Sequence, residues 1–358
     1  MCVNETKGEI RMARVLEGYL HGVNLGGWLS QCDHTKKRYD TFITEADFAT
    51  IRSWGMDHVR VPVDYELVED ADGNYIEEGF GYISKAIEWA KKNGLHMILD
   101  LHKTFGYSFD LGYGESGFFD NEAYQERFYR LWEEFAKRYG SDVENVVFEL
   151  LNEVTSKDYS DTWNRVSTTC IGRIRKIAPD IRIIIGGYYN NSIEALVDLA
   201  APVDDKVVYT FHCYEPLIFT HQGAPWVDGM DTSFRMPFAT TYAQYQKFSS
   251  ENVEAFKNLE LAAFKGFGED QILGVEYFER MLEEAVRVAS ERDVALYCGE
   301  FGVIDRADPK DALAWYKTFI ECMDRHGIGR AAWSYKQMDF GLVDARMDEV
   351  RDEILKLI

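Results

Sequence analysis

The sequence predicts an α/β fold, a (β/α)8 TIM barrel of eight parallel strands. Short apolar runs typical of buried strands occur eight times, and amphipathic stretches ended by glycine separate several of them. Strands that alternate with helices favour a parallel sheet, and eight repeats favour closure into a barrel. An open doubly wound sheet is the alternative, but Gly22, Gly26 and Gly27 do not match the dinucleotide-binding fingerprint that such sheets often carry.

The predicted strands are Tyr19–Asn24, His58–Val63, His96–His102, Val146–Asn152, Ile181–Gly186, Val207–His212, Ala295–Glu300 and Arg330–Tyr335. Between them, Thr44-Glu45-Ala46-Asp47 resembles a capping box, and Gly55 ends the helix that it starts. Three further predicted helices each end just before a glycine, as helices with a glycine cap do: Ser84–Asn93, Glu122–Tyr139 and Lys310–His326.

One interval between strands, from His212 to Glu300, is much longer than the others. Its excess, residues 217–271, is too long for an ordinary loop and predicts an inserted subdomain over the active face, between the sixth strand and the sixth helix. Most of its aromatic residues are expected to pack as a small core of their own. The rest of the 358-residue chain offers no linker or repeat, so 1–358 is predicted to be a single catalytic domain.

The composition of the chain excludes some classes of binding partner. With 39 basic and 61 acidic residues the formal net charge is −22, which argues against binding the phosphates of nucleic acid or an anionic membrane. No apolar run reaches the ~20 residues that span a bilayer. We expect a monomer. The start, Met1–Lys7, shows no signal peptide, which predicts a cytoplasmic protein, or a secreted one if a leader has been removed.

Two glutamates mark the candidate site, because each closes a predicted buried strand. Glu153 ends the run that begins at Val146, and Glu300 ends the run that begins at Ala295. A single glutamate at such a place is as often a solvated or salt-bridged residue. Two on the active face of one barrel are the minimum for cleaving a glycosidic bond, one as proton donor and one as nucleophile or base.

Other predicted strand ends add polar and aromatic side chains to the same face: Arg60, His102, Asn152, His212, Tyr214 and Trp333. Each histidine alone is more often a hydrogen-bonded core residue than a functional one. Together on successive strands they predict a catalytic cleft.

The chain resembles glycoside hydrolase family 5, the cellulase-type family of retaining barrel hydrolases. The matching stretches are Gly22–Trp28, His58–Pro62, Asp100–His102, Phe148–Glu153, Phe211–Tyr214, Tyr297–Gly302 and Ala332–Tyr335. The resemblance implies that Glu153 is the acid/base and Glu300 the nucleophile. It assigns supporting roles to Arg60, His102, Asn152, His212, Tyr214 and Trp333. We also expect Asn24, Trp28 and Trp226 to bind substrate or support the site.

The implied function is an endo-β-glucanase or cellulase. It would cleave β-1,4 or mixed β-1,3/1,4 glucans through a covalent glycosyl-enzyme, with no cofactor and no metal, and with the two carboxyl groups about 5–5.5 Å apart. The alternatives are an exo-acting β-glucosidase and a mannan-directed hydrolase. A clostridial-type subgroup with an insertion after the sixth strand is most similar. The chain differs from it at Lys103-Thr104-Phe105, where a second histidine followed by Ala-Pro-Gly is common.

The mechanism assigns a task to each group. Arg60 and Tyr214 are expected to hold the charged Glu300, and repulsion from Glu300 to raise the pKa of Glu153. Asn152 is expected to bind the sugar 2-hydroxyl, and Trp333 to face the sugar ring.

Asp100 and Glu149 are predicted either to orient the histidine and arginine side chains or to form a buried ion pair with Arg60 or His58. Both are expected to point into the barrel, because each alternates with a site residue on its strand.

Two rival classes of protein remain. A metal-dependent barrel hydrolase would use His102 and His212, but it normally needs a His-x-His on its first strand, where this chain has only His21. A non-catalytic carbohydrate-binding barrel would tolerate the loss of a carboxylate, and both are present.

Overall fold

Eight parallel strands form a closed barrel in the computed structural model, which describes residues 13–110, 116–252 and 266–358. The strands are β1 (His21–Asn24), β2 (His58–Asp64), β3 (His96–Lys103), β4 (Val146–Glu149), β5 (Arg182–Ile185), β6 (Val207–Cys213), β7 (Ala295–Phe301) and β8 (Gly329–Ala332). Each strand pairs with the next along the chain, and β8 pairs with β1 to close the sheet. The predicted barrel is confirmed.

Three strands end earlier than predicted: β5 stops at Ile185, just before Gly186, and the endings of the other two, β4 and β8, concern the site. β4 stops at Glu149, four residues before Glu153, and β8 stops at Ala332, just before Trp333. Backbone hydrogen bonds still fix the chain there, from Asn152 N to Leu101 O at 3.0 Å and from Trp333 N to Phe301 O at 2.9 Å. Leaving the regular ladder lets these side chains turn over the barrel mouth instead of alternating across the sheet.

Among the described residues, the α-helices of more than six residues are α1 (Glu45–Ser53), α2 (Glu77–Lys92), α3 (Glu122–Tyr139), α4 (Ser160–Arg175), α5 (Tyr242–Asn252), α6 (Val275–Arg292) and α7 (Pro309–His326). Short helical segments lie at Lys36–Thr41, Tyr188–Asn191, Leu217–Thr220 and Arg351–Ile354, and 3-10 segments at Tyr65–Leu67, Lys157–Tyr159, Ile193–Asp198 and Ala345–Met347. Between β5 and β6, where every residue is described, the short segments Tyr188–Asn191 and Ile193–Asp198 take the place of a longer α-helix. None of the described helices is apolar over the length that a membrane crossing needs.

The predicted helix boundaries lie close to the observed ones, except at the start of one helix. The capping box before α1 is present, with Thr44 N donating to Asp47 Oδ2 at 2.7 Å. α2 begins at Glu77 and not at Ser84, because Gly79 lies within the helix. A Cβ at Gly79 would fall 1.7 Å from the carbonyl oxygen of Leu67, so this glycine permits close packing and does not mark a loop.

The barrel interior is filled at the end opposite the strand carboxyl termini. Side chains from consecutive strands, among them Ile98, Val147, Ile184 and Val208, pack there below 4% exposure. A fully buried histidine completes this layer: His58 shares hydrogen bonds with Asp57 Oδ1 and with the Tyr297 hydroxyl, both at 2.7 Å. His58 is therefore not the ion-pair partner of Asp100 or Glu149; of the two partners predicted for them, Arg60 pairs with both. Filling this end leaves only the carboxyl-terminal mouth for chemistry.

The segment between β6 and α6 lies outside the barrel, and residues 214–252 and 266–274 of it are described. Buried aromatic residues pack together in this part, including Phe219 against Phe238 with ring centroids 5.3 Å apart. The Tyr245 hydroxyl donates to Phe238 O at 2.7 Å, and Tyr242 packs on Tyr277 of α6. Part of the predicted insertion, residues 253–265, lies outside the described residues. Its role as a wall of the site stays a prediction.

Candidate active site

Arg60 on β2 lies at the centre of the barrel mouth and is completely buried. Its guanidinium donates to both carboxylate oxygens of Glu149, from Nε at 2.7 Å and from Nη2 at 3.1 Å. Nη1 donates to Asn24 Oδ1 at 2.9 Å and to Glu300 Oε1 at 2.8 Å. Nη2 lies 3.1 Å from Asp100 Oδ2. A buried guanidinium needs such partners, and the planar fork fixes the side chains around it.

Glu300 near the end of β7 is held through both of its oxygens. Arg60 donates to Oε1, and the Tyr214 hydroxyl donates to Oε2 at 2.9 Å. The side chain is only 7% exposed. The carboxylate is therefore fixed in direction with a cation beside it, which is the arrangement that an attacking carboxylate requires.

Glu153 lies across the mouth in a different environment. His212 Nδ1 lies 2.7 Å from its Oε1, and Asn190 Nδ2 donates to its Oε2 at 2.8 Å. Burial raises the pKa of Glu153, whereas the hydrogen bond from Asn190 and the charges of His102 and Arg60 lower it. The predicted direction is correct, but its main cause is burial and not the expected repulsion from Glu300.

The two glutamates are close together. One carboxylate oxygen of Glu153, one of Glu300 and a ring nitrogen of His212 all lie within 4.8 Å of one another. Inverting enzymes separate their carboxyl groups by about 6.5–9.5 Å to admit a water, whereas retaining enzymes place them about 5–5.5 Å apart. The spacing here suits direct attack by one carboxylate.

His212 on β6 connects the acid/base candidate to the barrel wall. Burial lowers its pKa to about 4, so the ring is neutral near pH 7. Asn191 Nδ2 lies 3.4 Å from Nε2 and can only donate to it, which places the proton of His212 on Nδ1, facing Glu153. Gly299 makes room for the ring, because a Cβ there would lie 3.0 Å from Nε2.

His102 on β3 connects Asp100 to Trp333. Nδ1 of His102 lies 2.6 Å from Asp100 Oδ2, and its ring is parallel to that of Trp333 with centroids 5.7 Å apart. Burial lowers the pKa of His102 and raises that of Asp100 to about 7. Asp100 thus orients a histidine and also pairs with Arg60, so both predicted roles apply. Gly26 lets Trp333 lie flat there, since a Cβ would fall 2.8 Å from the indole.

Two asparagines contact Arg60, but only one of them has a side-chain NH2 group that could still bind substrate. Asn24 is fully satisfied: it accepts from Arg60, and its Nδ2 donates to Gly299 O at 2.9 Å, so it supports the site from below. Asn152 accepts from Arg60 Nη2 at 2.8 Å, but its buried Nδ2 has no hydrogen-bond partner in the part of the chain that the structure describes. A buried donor without a partner is costly, so this amide is suited to a substrate hydroxyl.

Trp28 does not reach the site, and its prediction as a substrate-binding residue is wrong. Its ring is completely buried, stacks on Trp89 at 6.1 Å, and donates from Nε1 to Tyr39 O at 2.9 Å. Trp28 follows Gly27, whose φ of +73° turns the chain away from the barrel axis into the outer core. The sequence alone could not distinguish this Trp from one that faces the cleft.

Trp226 in the inserted segment is 46% exposed. Its ring lies 6.2 Å from that of His221, which lies 5.2 Å from the ring of Tyr214, the residue that donates to Glu300. Trp226 is therefore within two side chains of the candidate nucleophile, and its contact with substrate stays a prediction.

Lys103, where similar glucanases commonly carry histidine, is buried and neutralised. Its Nζ lies 3.2 Å from Asp64 Oδ2 and 3.5 Å from Glu66 Oε1. The buried Asp64 also lies 3.2 Å from His34 Nε2 and accepts from the hydroxyl of Ser30 at 2.7 Å. Lys103 thus belongs to a charged network beside the cleft and does not present an isolated cation to substrate.

Three residues that contact the candidate acid/base or its partner His212 were missed. Asn190 and Asn191 act as described, and the Tyr107 hydroxyl donates to the backbone oxygen of Glu153 at 2.6 Å. The only sequence signal was the pair of asparagines after Gly186-Gly187, since asparagine tolerates unusual backbone angles.

The metal-dependent alternative needed His102 and His212 as joint ligands. Among the described residues, the ligand atoms that come together at this mouth are those of Glu153, His212 and Glu300, and His102 is not among them. Its Nδ1 is engaged by Asp100 instead.

Comparison with known proteins agrees with this geometry. A family model described as cellulase (glycosyl hydrolase family 5) matches residues 20–339. Cellodextrinase A of Ruminococcus flavefaciens is 48% identical over 313 residues, which cover 87% of this chain and 84% of that protein. Endoglucanase C of Acetivibrio thermocellus is 38% identical over 341 residues, or 94% and 97% of the two chains.

A crystal structure of the cellulose synthase subunit Z of Clostridioides difficile superposes with a TM-score of 0.74 at 26% identity, covering 95% of this chain and 99% of that one. The predicted family is confirmed, and the chain belongs to glycosyl hydrolase family 5.

Proposed function

We propose that this glycoside hydrolase is an endo-acting β-glucanase that cleaves β-1,4 bonds in glucans, including short cellulose fragments and mixed-linkage chains, with retention of configuration. One observation carries the proposal. An oxygen of Glu153 and an oxygen of Glu300 lie within 4.8 Å of each other. Glu300 is held by the guanidinium of Arg60 and the hydroxyl of Tyr214, whereas Glu153 is buried beside the neutral His212.

In the first step Glu300 attacks the anomeric carbon. Arg60 and Tyr214 hold its two oxygens, so the attacking oxygen has a fixed direction. Glu153 donates a proton to the glycosidic oxygen as the bond breaks, and burial raises its pKa, which favours the protonated form that this step needs. The products of this step are a glycosyl ester on Glu300 and a free leaving sugar.

In the second step Glu153 acts as base. Once Glu300 is esterified its negative charge is gone, and Glu153 takes a proton from a water that attacks the anomeric carbon. Arg60 keeps Glu149 and Asp100 as partners throughout, so the guanidinium does not need to move between the steps. The cleaved sugar leaves with the configuration that it had in the substrate.

Two further groups are proposed to contact the sugar at the cleavage point. The unpaired Nδ2 of Asn152 is suited to bind the 2-hydroxyl, a bond that strengthens in the transition state. Trp333, kept parallel to His102, provides a flat apolar face for the sugar ring.

The substrate range is proposed from the relatives, one named a cellodextrinase and another an endoglucanase. The test compares viscosity and reducing ends during hydrolysis of carboxymethylcellulose, barley β-glucan, mannan and aryl glucosides. We expect viscosity to fall early with few reducing ends, and mannan to be cleaved slowly. Release of glucose alone, with viscosity unchanged, would contradict endo action.

A further inference from the structure

The turn Tyr188–Asn191 after β5 has an unusual backbone. Three consecutive residues adopt left-handed angles: Tyr189 has φ 48°, Asn190 has φ 59° and Asn191 has φ 57°. Asparagine tolerates this region, but side chains in general avoid it, and a run of three costs free energy that the surroundings must offset. Strain of this kind concentrates at functional sites, so its contacts bear on function.

Local contacts hold this turn in place. Asn191 N donates to Gly187 O at 3.2 Å, and Ser192 N donates to Tyr188 O at 3.1 Å. The side chain of Asn191 is buried above Gly186, where a Cβ would fall 2.2 Å from Asn191 Oδ1. The glycine at the end of β5 thus leaves the space that Asn191 occupies.

The left-handed backbone directs two neighbouring amides at the candidate acid/base. Asn190 donates from Nδ2 to Glu153 Oε2 at 2.8 Å, and its backbone N donates to the carbonyl oxygen of the next residue, Val154, at 2.9 Å. Asn191 donates to His212 Nε2, and the opposite ring nitrogen faces Glu153 Oε1 at 2.7 Å. Each oxygen of Glu153 therefore has a donor that depends on one of two consecutive residues.

We propose that this turn is the device that orients Glu153 and sets its protonation, with Asn190 and Asn191 as positioning residues. The inference rests on the proposed role of Glu153 as acid and then base. An acid/base of this kind must hold a proton in the first step and release it before the second, so neither form can be strongly favoured.

The donor from Asn190 counters the effect of burial on the pKa of Glu153. Burial raises the pKa of Glu153, and the amide of Asn190 lowers it by stabilising the carboxylate. The other titratable or charged groups around Glu153 come from four strands and two loops: Arg60, Asp100, His102, His212, Glu300, Tyr107 and Tyr214. All of them stay in place when Asn190 alone is changed, so a shift in pH dependence reports the amide.

The test is the pH profile of kcat/KM on cellotetraose for Asn190→Gly and Asn190→Asp. Glycine accepts the left-handed backbone and removes only the amide, whereas aspartate keeps the shape and places a second carboxylate at Glu153. We expect kcat/KM at the optimum to fall about tenfold, less than the 10²–10⁴-fold that a general acid/base contributes. The alkaline limb is expected to move to higher pH in both variants, and further in Asn190→Asp.

Asp293→Gly is the matched control, because Asp293 is also left-handed, with φ 51°, but lies before β7 at the opposite end of the barrel. Its alkaline limb should match that of the unchanged enzyme. If Asn190→Gly lost activity equally at all pH values, with a lowered melting temperature, the turn would be only structural and the inference would be wrong. If Glu153→Ala cleaved cellotetraose normally, the proposed function itself would fail instead.

Discussion

Asn152→Ala tests the sugar contact proposed for the unpaired amide. Among the described residues the buried Nδ2 of Asn152 has no hydrogen-bond partner, so binding of substrate breaks no hydrogen bond of this amide with those residues. The oxocarbenium-like transition state polarises the 2-hydroxyl and strengthens its hydrogen bonds. The bond is therefore expected to lie in the range of hydrogen bonds to charged groups, about 1.5–3 kcal/mol, which corresponds to roughly a 10- to 150-fold loss of kcat/KM.

The same substitution also removes the acceptor for Arg60 Nη2, which still has Asp100 at 3.1 Å. The two effects separate when the substrate is varied together with the enzyme. Aryl β-glucosides with and without the 2-hydroxyl are hydrolysed by the unchanged enzyme and by Asn152→Ala, which gives a double-mutant cycle.

We expect Asn152→Ala to lower kcat/KM strongly on the hydroxylated glucoside and only slightly on the 2-deoxy glucoside. The measurement is initial rate by release of the aryl group. An equal loss on both substrates would refute the contact and would mean that the substitution acts by removing the hydrogen-bond acceptor of Arg60.

Two further predictions concern the roles of named residues. Glu300→Ala should abolish turnover on every substrate because the covalent step is lost. Glu153→Ala should still form the glycosyl-enzyme from aryl glycosides with good leaving groups, and azide should restore turnover by forming the glycosyl azide. If the two variants showed each other's phenotype, the roles of Glu153 and Glu300 would have to be exchanged. Trp226→Ala should lower kcat/KM on long β-glucans more than on aryl glycosides, because the exposed ring contributes remote binding energy; equal loss with a lowered melting temperature would make Trp226 structural.

Much of the site could be predicted from the sequence because a parallel barrel places all strand ends on one face. Arg60, His102, His212 and Glu300 each lie within or close to the end of a strand, and the structure joins them through hydrogen bonds and ring contacts. Strand periodicity and closure were sufficient to bring them together.

The parts that were missed depend on packing between segments distant in sequence. The contact of Asn190 with Glu153 requires a left-handed turn after β5, and no local pattern specifies three such residues in a row. Burial is also the main cause of the raised pKa of Glu153, and the sequence does not reveal how deeply that side chain is buried. The prediction that Trp28 faces the site was wrong because an indole beside the first strand can pack outward as readily as inward.

Retention of configuration follows from a double displacement at two carboxylates whose oxygens lie within 4.8 Å. Its most direct test is proton NMR of the products in the first minutes of hydrolysis of a soluble β-1,4-glucan, before the anomers equilibrate. Retention predicts that the β-anomer of the new reducing end appears first and that the α-anomer grows later by mutarotation. Initial appearance of the α-anomer would show single displacement by water and would contradict the role assigned to Glu300.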